Sequence, residues 1–327
     1  MKGRKENEEK LKCKIESKLE DAPWYLRDYY KTLIKKTYTT KKTYIDSILL
    51  FLKYTQKNMR CDLNDVDIFK NIKPSFISGY INELTELAES TKAARMYAVK
   101  SFFDFLVHDE YIASNPFSRG VEMPRDNKEH QITYLTEQEI EIVKNNILNG
   151  VGSEFAKKNQ KKWRTRDYAI VMMALSLGLR ITSLTEIDID DIDFENQTIQ
   201  IVEKGNRTRT IFFSAKLKQI IQDWLVDREN LLVFDTTNAL FISRERERIS
   251  SHTIRDMLAK YTYNINKNIT PHKLRSTCAT SVYNNTGDIY LTADVLGHRN
   301  IANTRRYAQV SEDRKKQAAQ AMDDILF

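Results

Sequence analysis

The chain has 327 residues, 41% of them hydrophobic and 30% charged, with a formal net charge of +7 and a pI near 9.0. This length suggests two domains, and the apolar fraction is large enough to give each a hydrophobic core. The basic excess favours an anionic partner, most commonly a nucleic acid, and no stretch of sequence reaches the roughly 18 apolar residues that a membrane span needs.

The N-terminal segment is charged and helix-prone. Its first residues, MKGRKENEEKLKCKIE, lack the apolar centre of a signal peptide. Residues 1–36 are therefore predicted to form a charged extension, either an arm or an additional helix. The three cysteines Cys13, Cys61 and Cys278 show no paired or zinc-type spacing. We expect reduced thiols, no bound metal and a cytoplasmic location.

Residues 37–118 show helical periodicity throughout. KKTYIDSILLFLKYTQ places its apolar side chains near one helical stripe, and KPSFISGYINELTEL and STKAARMYAVKSFFDFLVHDEYI behave in the same way. These patterns predict a small all-helical domain. The following stretch, SNPFSRGVEMPRDNKEHQ, has two prolines, a glycine and a cluster of charges. It predicts a linker, which we place at residues 119–131.

The second predicted domain, residues 132–327, mixes helices with a small β section. Thr136 and Glu139 have the spacing of a capping box, and the apolar run RDYAIVMMALSLGLRITSL predicts a buried helix. TIQIVEKGNRTRTIFFS contains two β-rich segments on either side of Lys204, Gly205 and Asn206, which predicts a hairpin. The fold class is therefore mainly α with one small β-sheet.

Six polar residues of the second domain stand out by their chemistry and order. Each is a weak signal alone, because an arginine, lysine or histidine on a helix or hairpin is usually a surface residue. Arg180 differs from the others because it follows a helix that is predicted to be buried. A buried guanidinium needs either a hidden carboxylate or a ligand. The candidate catalytic set is Arg180, Lys204, His272, Arg275, His298 and Tyr307.

This set suits phosphoryl transfer without a metal or cofactor. Two arginines can hold the non-bridging oxygens of a phosphodiester by forked hydrogen bonds and stabilise the charge of an in-line transition state. Histidines can donate to the same oxygens or take a proton, and a lysine can protonate the leaving oxygen. A tyrosine hydroxyl can attack phosphorus once surrounding cations favour the phenolate.

From about residue 40 to its end, the chain resembles the tyrosine recombinases of the phage integrase and Xer group. The resemblance is carried by GLRITSL, VEKGNRTRTI, HKLRSTCAT, LGHRNIANTRRY and, before the linker, SFFDFLVHDEYIASNP. It implies an all-helical, SAM-like core-binding domain and a mixed α/β catalytic domain that close around double-stranded DNA as a C-shaped clamp. It also implies that Arg180 and Arg275 form a phosphate clamp and that Lys204 is the general acid.

By the same resemblance, His272 corresponds to the group that accepts the proton of the nucleophile, His298 to a second hydrogen-bond donor and Tyr307 to the nucleophile. The implied product is a 3′-phosphotyrosyl bond with a free 5′-hydroxyl, formed without ATP. The implied partners are recombination sites in DNA and further copies of the chain, as a dimer on one site and a tetramer in the synapse. An accessory DNA-bending or directionality protein also fits this picture.

The resemblance has two departures and adds three candidate DNA contacts. Ser183 stands where an acidic residue is usual, with Glu186 one turn further on, and Ser276 replaces a second histidine. Both changes concern residues around the six candidates rather than the six themselves. The additional candidate DNA contacts are Arg207 and Arg209 on the hairpin, for which solvation at the surface is the alternative, and Arg95 in the helical domain.

Two other functions use the same observations. A type IB topoisomerase-like enzyme would nick and reseal DNA with the same six residues, although the two-domain layout and the short segment after Tyr307 favour a recombinase. An inactive DNA-binding protein is disfavoured because all six candidates are present. The polar-to-apolar tail SEDRKKQAAQAMDDILF predicts a terminal helix whose apolar face, from Ala318 to Phe327, needs a groove on its own domain or on a neighbouring protomer. The resemblance implies docking on the adjacent protomer in the synaptic complex, with docking on its own domain as the alternative.

Overall fold

The computed structural model describes residues 2–125, 132–203, 207–232, 237–298 and 300–308. These residues are mostly helical, with one small antiparallel sheet. The chain divides into two compact units, Lys5–Glu129 and His130–Phe327. No helix among the described residues is both long and apolar enough to cross a membrane.

The described part of the N-terminal unit is a bundle of five α-helices, with two short 3₁₀ helices at Val66–Asn71 and Pro116–Arg119. In α3, the Thr37 side chain caps the first turn by accepting a hydrogen bond from the Thr40 amide, and Arg60 ends the helix in the left-handed conformation. α3 packs against α5 in the centre of the bundle. The helices are α1 (Lys2–Glu20), α2 (Trp24–Thr32), α3 (Tyr38–Met59), α4 (Pro74–Glu83) and α5 (Glu89–His108).

The segment before residue 37 belongs to this bundle. Ile15 and Leu19 of α1 and Tyr25 of α2 lie in the same hydrophobic cluster as Phe51 of α3 and Phe102 of α5. Of the two alternatives for residues 1–36, the structure therefore has packed helices rather than an arm. At the other end, residues 121–125 form no regular element, and the rest of the linker, residues 126–131, lies outside the described residues.

The C-terminal unit surrounds one buried helix, α8, with other helices and places a three-stranded sheet beside them. The predicted capping box of Thr136 and Glu139 is confirmed at the start of the first helix. The helices are α6 (Glu137–Asn149), α7 (Glu154–Lys161), α8 (Arg164–Leu177), α9 (Ile181–Glu186), α10 (Ala215–Leu231), α11 (Ser251–Tyr261), α12 (Pro271–Thr286), α13 (Ile289–Leu296) and α14 (Ala302–Ala308).

The predicted hairpin is confirmed as two of the three strands of the sheet. The strands β1 (Ile192–Asp193), β2 (Thr198–Glu203) and β3 (Arg207–Phe212) pair antiparallel in the order β1-β2-β3. Ile199 lies opposite Ile211, and Ile201 lies opposite Arg209. The turn itself, with Lys204, lies outside the described residues.

The end of α8 determines where the chemically important residues lie. α8 is packed against α6, α10 and α12, and most of its apolar side chains are buried, as predicted. Gly178 ends it in the left-handed conformation, with φ 56° and ψ 29°. The chain then leaves the core, so that Arg180 is exposed at the start of α9. The cost expected for a buried guanidinium does not arise.

Candidate active site

A cavity of about 420 Å³ in the C-terminal unit brings together five of the six candidates. Its walls come from the α8–α9 turn, the first turns of α12, the second residue after α13, and α14. The lining residues are Leu179, Arg180, Ile181, Thr182, Pro271, His272, Arg275, His298, Asn303, Arg306 and Tyr307. The sixth candidate, Lys204, lies outside the described residues.

Arg275 is fixed by two helix ends. Its side chain is only 3% exposed, Nη1 donates to the carbonyl of Gly178 at 2.6 Å, and Nη2 donates to the carbonyl of Leu296 at 2.7 Å. These carbonyls end α8 and α13, where the helix dipoles carry partial negative charge. The guanidinium therefore has a fixed position at the cavity, and it also ties two helices together.

His298 follows a tight helix end. Gly297 closes α13 at φ 63°, and the His298 amide donates back to the carbonyl of Ala293 at 2.9 Å. Burial, with Arg275 and Arg180 nearby, lowers the pKa of His298 to about 4. The imidazole is therefore neutral at pH 7. Its Nδ1 lies 2.8 Å from Oγ1 of Thr304, which leaves Nε2 for a ligand.

His272 is also held neutral. Desolvation, followed by the charges of Arg306 and Arg275, lowers the pKa of its imidazole. A neutral imidazole can accept a proton, as the predicted role requires. Ser276, which replaces the histidine usual at that position, is 1% exposed and donates its hydroxyl to the carbonyl of His272 at 3.1 Å. The serine at this position therefore donates a hydrogen bond to the backbone of the first turn of α12.

Tyr307 lines the cavity but is largely enclosed. Its side chain is 2% exposed and belongs to a small cluster with Ala279 and Leu296, against which Ile132 packs. The ring lies parallel to that of His298, with centroids 6.4 Å apart. The Arg306 guanidinium lies 5.9 Å from the ring centroid. The tyrosine thus sits beside both a neutral donor and a cation.

Three residues of this region were missed by the sequence analysis: Asn303, Thr304 and Arg306. All lie on α14, and Asn303 and Arg306 line the cavity with Tyr307. Their spacing of three and four residues from one another was a usable signal, because residues at this spacing share a helix face. Thr304, which is completely buried, has the same spacing from Tyr307, but nothing in the sequence links its hydroxyl to His298.

The acidic residue expected near Arg180 has no direct replacement in the catalytic cavity. Ser183 and Glu186 instead line a separate cavity of about 20 Å³ together with Asp191 and Gln200. That volume accommodates about one water molecule. Glu186 therefore faces the sheet side of α9, and the lining of the catalytic cavity is dominated by cations and imidazoles.

The candidate DNA contacts differ in exposure. Arg207 is exposed on β3 and Arg95 is half-buried on α5. Nη1 of Arg209 donates to the carbonyls of Asp294 and Val295 at 2.9 and 3.1 Å, and its Nε and Nη2 are shielded from solvent. These contacts favour a structural role for Arg209, holding the hairpin to the end of α13, over the predicted phosphate contact.

The cavity places a tyrosine beside arginines and neutral imidazoles, and comparisons with known proteins identify the class of enzyme to which the chain belongs. Residues 134–314 match the phage integrase family. The tyrosine recombinase XerC of Caldanaerobacter subterraneus subsp. tengcongensis is 29% identical over 310 residues, covering 89% of this chain and 83% of that protein. XerC of Mannheimia succiniciproducens is 25% identical over 297 residues, covering 88% and 92%.

Two solved structures share the fold. The XerH site-specific recombinase bound to palindromic difH substrate aligns with a TM-score of 0.68 and 22% identity, over 91% of this chain and 84% of that one. The Tn1549 transposon integrase in complex with transposon right end DNA aligns with a TM-score of 0.64 and 20% identity, over 91% and 98%. The chain therefore belongs to the phage integrase family of tyrosine recombinases, and it is a site-specific DNA recombinase.

Proposed function

We propose that the protein cuts and rejoins double-stranded DNA through a 3′-phosphotyrosyl intermediate on Tyr307. The observation that carries this proposal is the single cavity of about 420 Å³ that contains Arg180, His272, Arg275, His298 and Tyr307. A phosphodiester entering this cavity would meet three guanidiniums, two neutral imidazoles and a phenol. This is the combination that phosphoryl transfer to a tyrosine needs.

The proposed steps use the neutral forms of His272 and His298. His272, neutral, takes the proton of the Tyr307 hydroxyl as its oxygen attacks phosphorus. The P–O5′ bond breaks, and the leaving 5′ oxygen receives a proton from Lys204. Arg180 and Arg275 hold the two non-bridging oxygens. Nε2–H of His298 donates to one of the same oxygens, which stabilises the extra charge of the transition state.

Strand exchange is the reverse of this step with a different 5′-hydroxyl. The energy of the original phosphodiester is kept in the phosphotyrosine, so rejoining needs no nucleotide cofactor.

We propose that the two units close around the duplex as a C-shaped clamp and that two protomers bind one site and four form the synapse. The tail from Ala318 to Phe327, to which we assign docking in trans, lies outside the described residues. We propose that the protein acts in the cytoplasm.

The test is covalent trapping on nicked DNA taken from the region flanking the gene. With the nick placed just 3′ of the scissile phosphate, the short fragment that carries the new 5′-hydroxyl diffuses away after cleavage, so wild-type protein should accumulate as a covalent complex. Tyr307→Phe should form none and still bind, because only a hydroxyl is removed. The matched control is Tyr290→Phe, which removes the hydroxyl of a tyrosine that is 75% exposed and should leave trapping unchanged. Trapping by Tyr307→Phe would place the nucleophile elsewhere.

A second assay separates recombination from nicking and closing. A plasmid with two copies of the flanking site should yield products with exchanged flanks, and sequencing the joints tells integration or excision from resolution or inversion. Relaxation of supercoils with no exchanged joints would instead support the topoisomerase-like reaction.

A further inference from the structure

Thr304 connects the helix of the nucleophile to His298. It lies on α14 three residues before Tyr307, so the two side chains share a helix face. Thr304 is completely buried, and its Oγ1 lies 2.8 Å from Nδ1 of His298. The parallel stacking of the His298 and Tyr307 rings, with an interplanar angle of 14°, lies directly beside this bond.

The burial of the hydroxyl decides the direction of the bond. A hydroxyl can donate or accept, and a neutral imidazole has one N–H donor and one acceptor nitrogen. Among the residues that the structure describes, Nδ1 is the only side-chain partner of the Thr304 hydroxyl. If Nδ1 carried the proton, the buried hydroxyl hydrogen would have no acceptor among these residues. Donation from Oγ1 to Nδ1 satisfies both groups and places the ring proton on Nε2.

The charges around His298 keep the ring neutral, which this argument requires. The groups that face it are Arg275, Arg180, His272 and Arg306, and burial acts in the same direction as these cations. A protonated ring would carry hydrogen on both nitrogens and could not accept from Thr304.

We propose that Thr304 is a positioning residue for the recombination reaction: its hydroxyl fixes His298 as the Nε2–H tautomer and joins the imidazole to the helix that carries Tyr307. The inference rests on the proposed function, in which Nε2–H donates to the scissile phosphate. The proposal also implies that His298, the donor, and Tyr307, the nucleophile, move together. Any displacement of α14 that brings Tyr307 to the phosphate would bring His298 with it.

Three variants test the hydroxyl. Thr304→Val keeps the shape and removes the donor, and it should slow single-turnover cleavage roughly 3- to 10-fold, the range for one hydrogen bond. Thr304→Ser restores the hydroxyl and should restore the rate. The matched control is Thr280→Val, because Thr280 is 2% exposed and its hydroxyl has no hydrogen-bond partner among the described residues. That variant should cleave at the wild-type rate.

A spectroscopic readout separates positioning from general support of the fold. The chain has 5 histidines, so ¹⁵N-histidine labelling gives few signals, and His298→Gln identifies the one of interest. Wild-type His298 should show a protonated Nε2 and a hydrogen-bonded, unprotonated Nδ1. Thr304→Val should lose the hydrogen-bonded Nδ1 signature while its melting temperature stays near that of wild type.

Several outcomes would overturn the proposal. A wild-type spectrum with the proton on Nδ1 would do so directly, and this measurement needs no variant to fold. Equal rates for wild type and Thr304→Val, or a Thr304→Ser variant as slow as Thr304→Val, would do so by kinetics. The two proposals are tested by different measurements. Wild-type protein that never forms a covalent complex would contradict the proposed function. The tautomer of His298 is measured in the free protein and tests the role of Thr304 by itself.

Discussion

Gly178→Ala is expected to damage both the stability of the C-terminal unit and its catalytic geometry. The residue ends α8 at φ 56°, a conformation that costs an L-residue about 1–2 kcal/mol. A Cβ there would lie 2.8 Å from Cδ2 of Leu296 and 3.1 Å from Sγ of Cys278. Overpacking of this kind costs about 1–3 kcal/mol. The free energy of unfolding should therefore fall by roughly 2–5 kcal/mol in total.

The matched control is Gly152→Ala in the same unit. Gly152 also has a positive φ, 87°, but its Cβ would meet only Cβ of Ala156 at 3.6 Å, an ordinary contact. Only the backbone term of about 1–2 kcal/mol should apply there. Thermal unfolding measures the difference, since 1 kcal/mol shifts Tm by about 2–4 °C for a domain of this size.

The catalytic effect of Gly178→Ala follows from the same clash. Leu296 must move by several tenths of an ångström, and the carbonyls of Leu296 and Gly178 both hold Arg275. Misplacement of a catalytic group by about 1 Å can slow a reaction about 100-fold, so a roughly 10- to 100-fold slower cleavage well below Tm is expected. Leu296→Val removes Cδ2, and in that background the added effect of Gly178→Ala on stability should shrink. Strict additivity of the two changes, or a Gly178→Ala variant as stable as Gly152→Ala, would refute the reasoning.

Three further expectations concern charge. Arg275→Ala should slow cleavage by about 100-fold or more, the scale for losing a transition-state donor, and should also lower Tm because two buried carbonyls lose their donor. Arg180→Ala should slow cleavage with little change in Tm. Equal losses of Tm in the two variants would contradict this distinction. Because burial lowers the pKa of His298 to about 4, below its value near 6.5 in the unfolded chain, the unfolded state binds the extra proton. Stability should thus fall as pH drops from about 6.5 to 4, measured by urea unfolding of the free protein, and His298→Asn should weaken that fall. Cleavage of nicked DNA should persist in EDTA, and a strict need for magnesium in the chemical step would contradict a transition state stabilised by arginines.

Local patterns in the sequence predicted the elements well. The apolar periodicity of α3 and α5, the capping box at Thr136 and the hairpin around residues 204–206 all depend on residues close together in the chain. The position of Arg275 between two carbonyls does not, because Gly178 and Leu296 are 97 and 21 residues away from it. Such contacts arise only when α8, α12 and α13 pack together, and backbone carbonyls leave no signature in the sequence.

The candidate site residues divide in the same way, into those that a sequence motif identifies and those whose role depends on the packing of distant segments. All six candidates could be named from their side-chain chemistry and order, which the motifs display, and five of them line one cavity. Arg209 was expected to contact phosphate because an arginine on a hairpin is usually exposed. It is instead partly buried, since positions 209 and 211 both lie on the face of β3 that turns towards the protein. Thr304 was missed because a hydroxyl on a helix has many uses and only its distance to His298 reveals this one.

Arg275 has a consequence for how the enzyme distinguishes one DNA sequence from another. Its rotamer freedom, worth about 2 kcal/mol for a free arginine side chain, is given up when the protein folds rather than when DNA arrives. The position of the guanidinium is thus set by the ends of α8 and α13 and does not vary with the bound sequence. In the proposed role, a guanidinium that is fixed before DNA binds and that contacts phosphate oxygens is indifferent to base identity. Retargeting the enzyme should therefore leave the cavity untouched and alter residues outside it that reach the base edges.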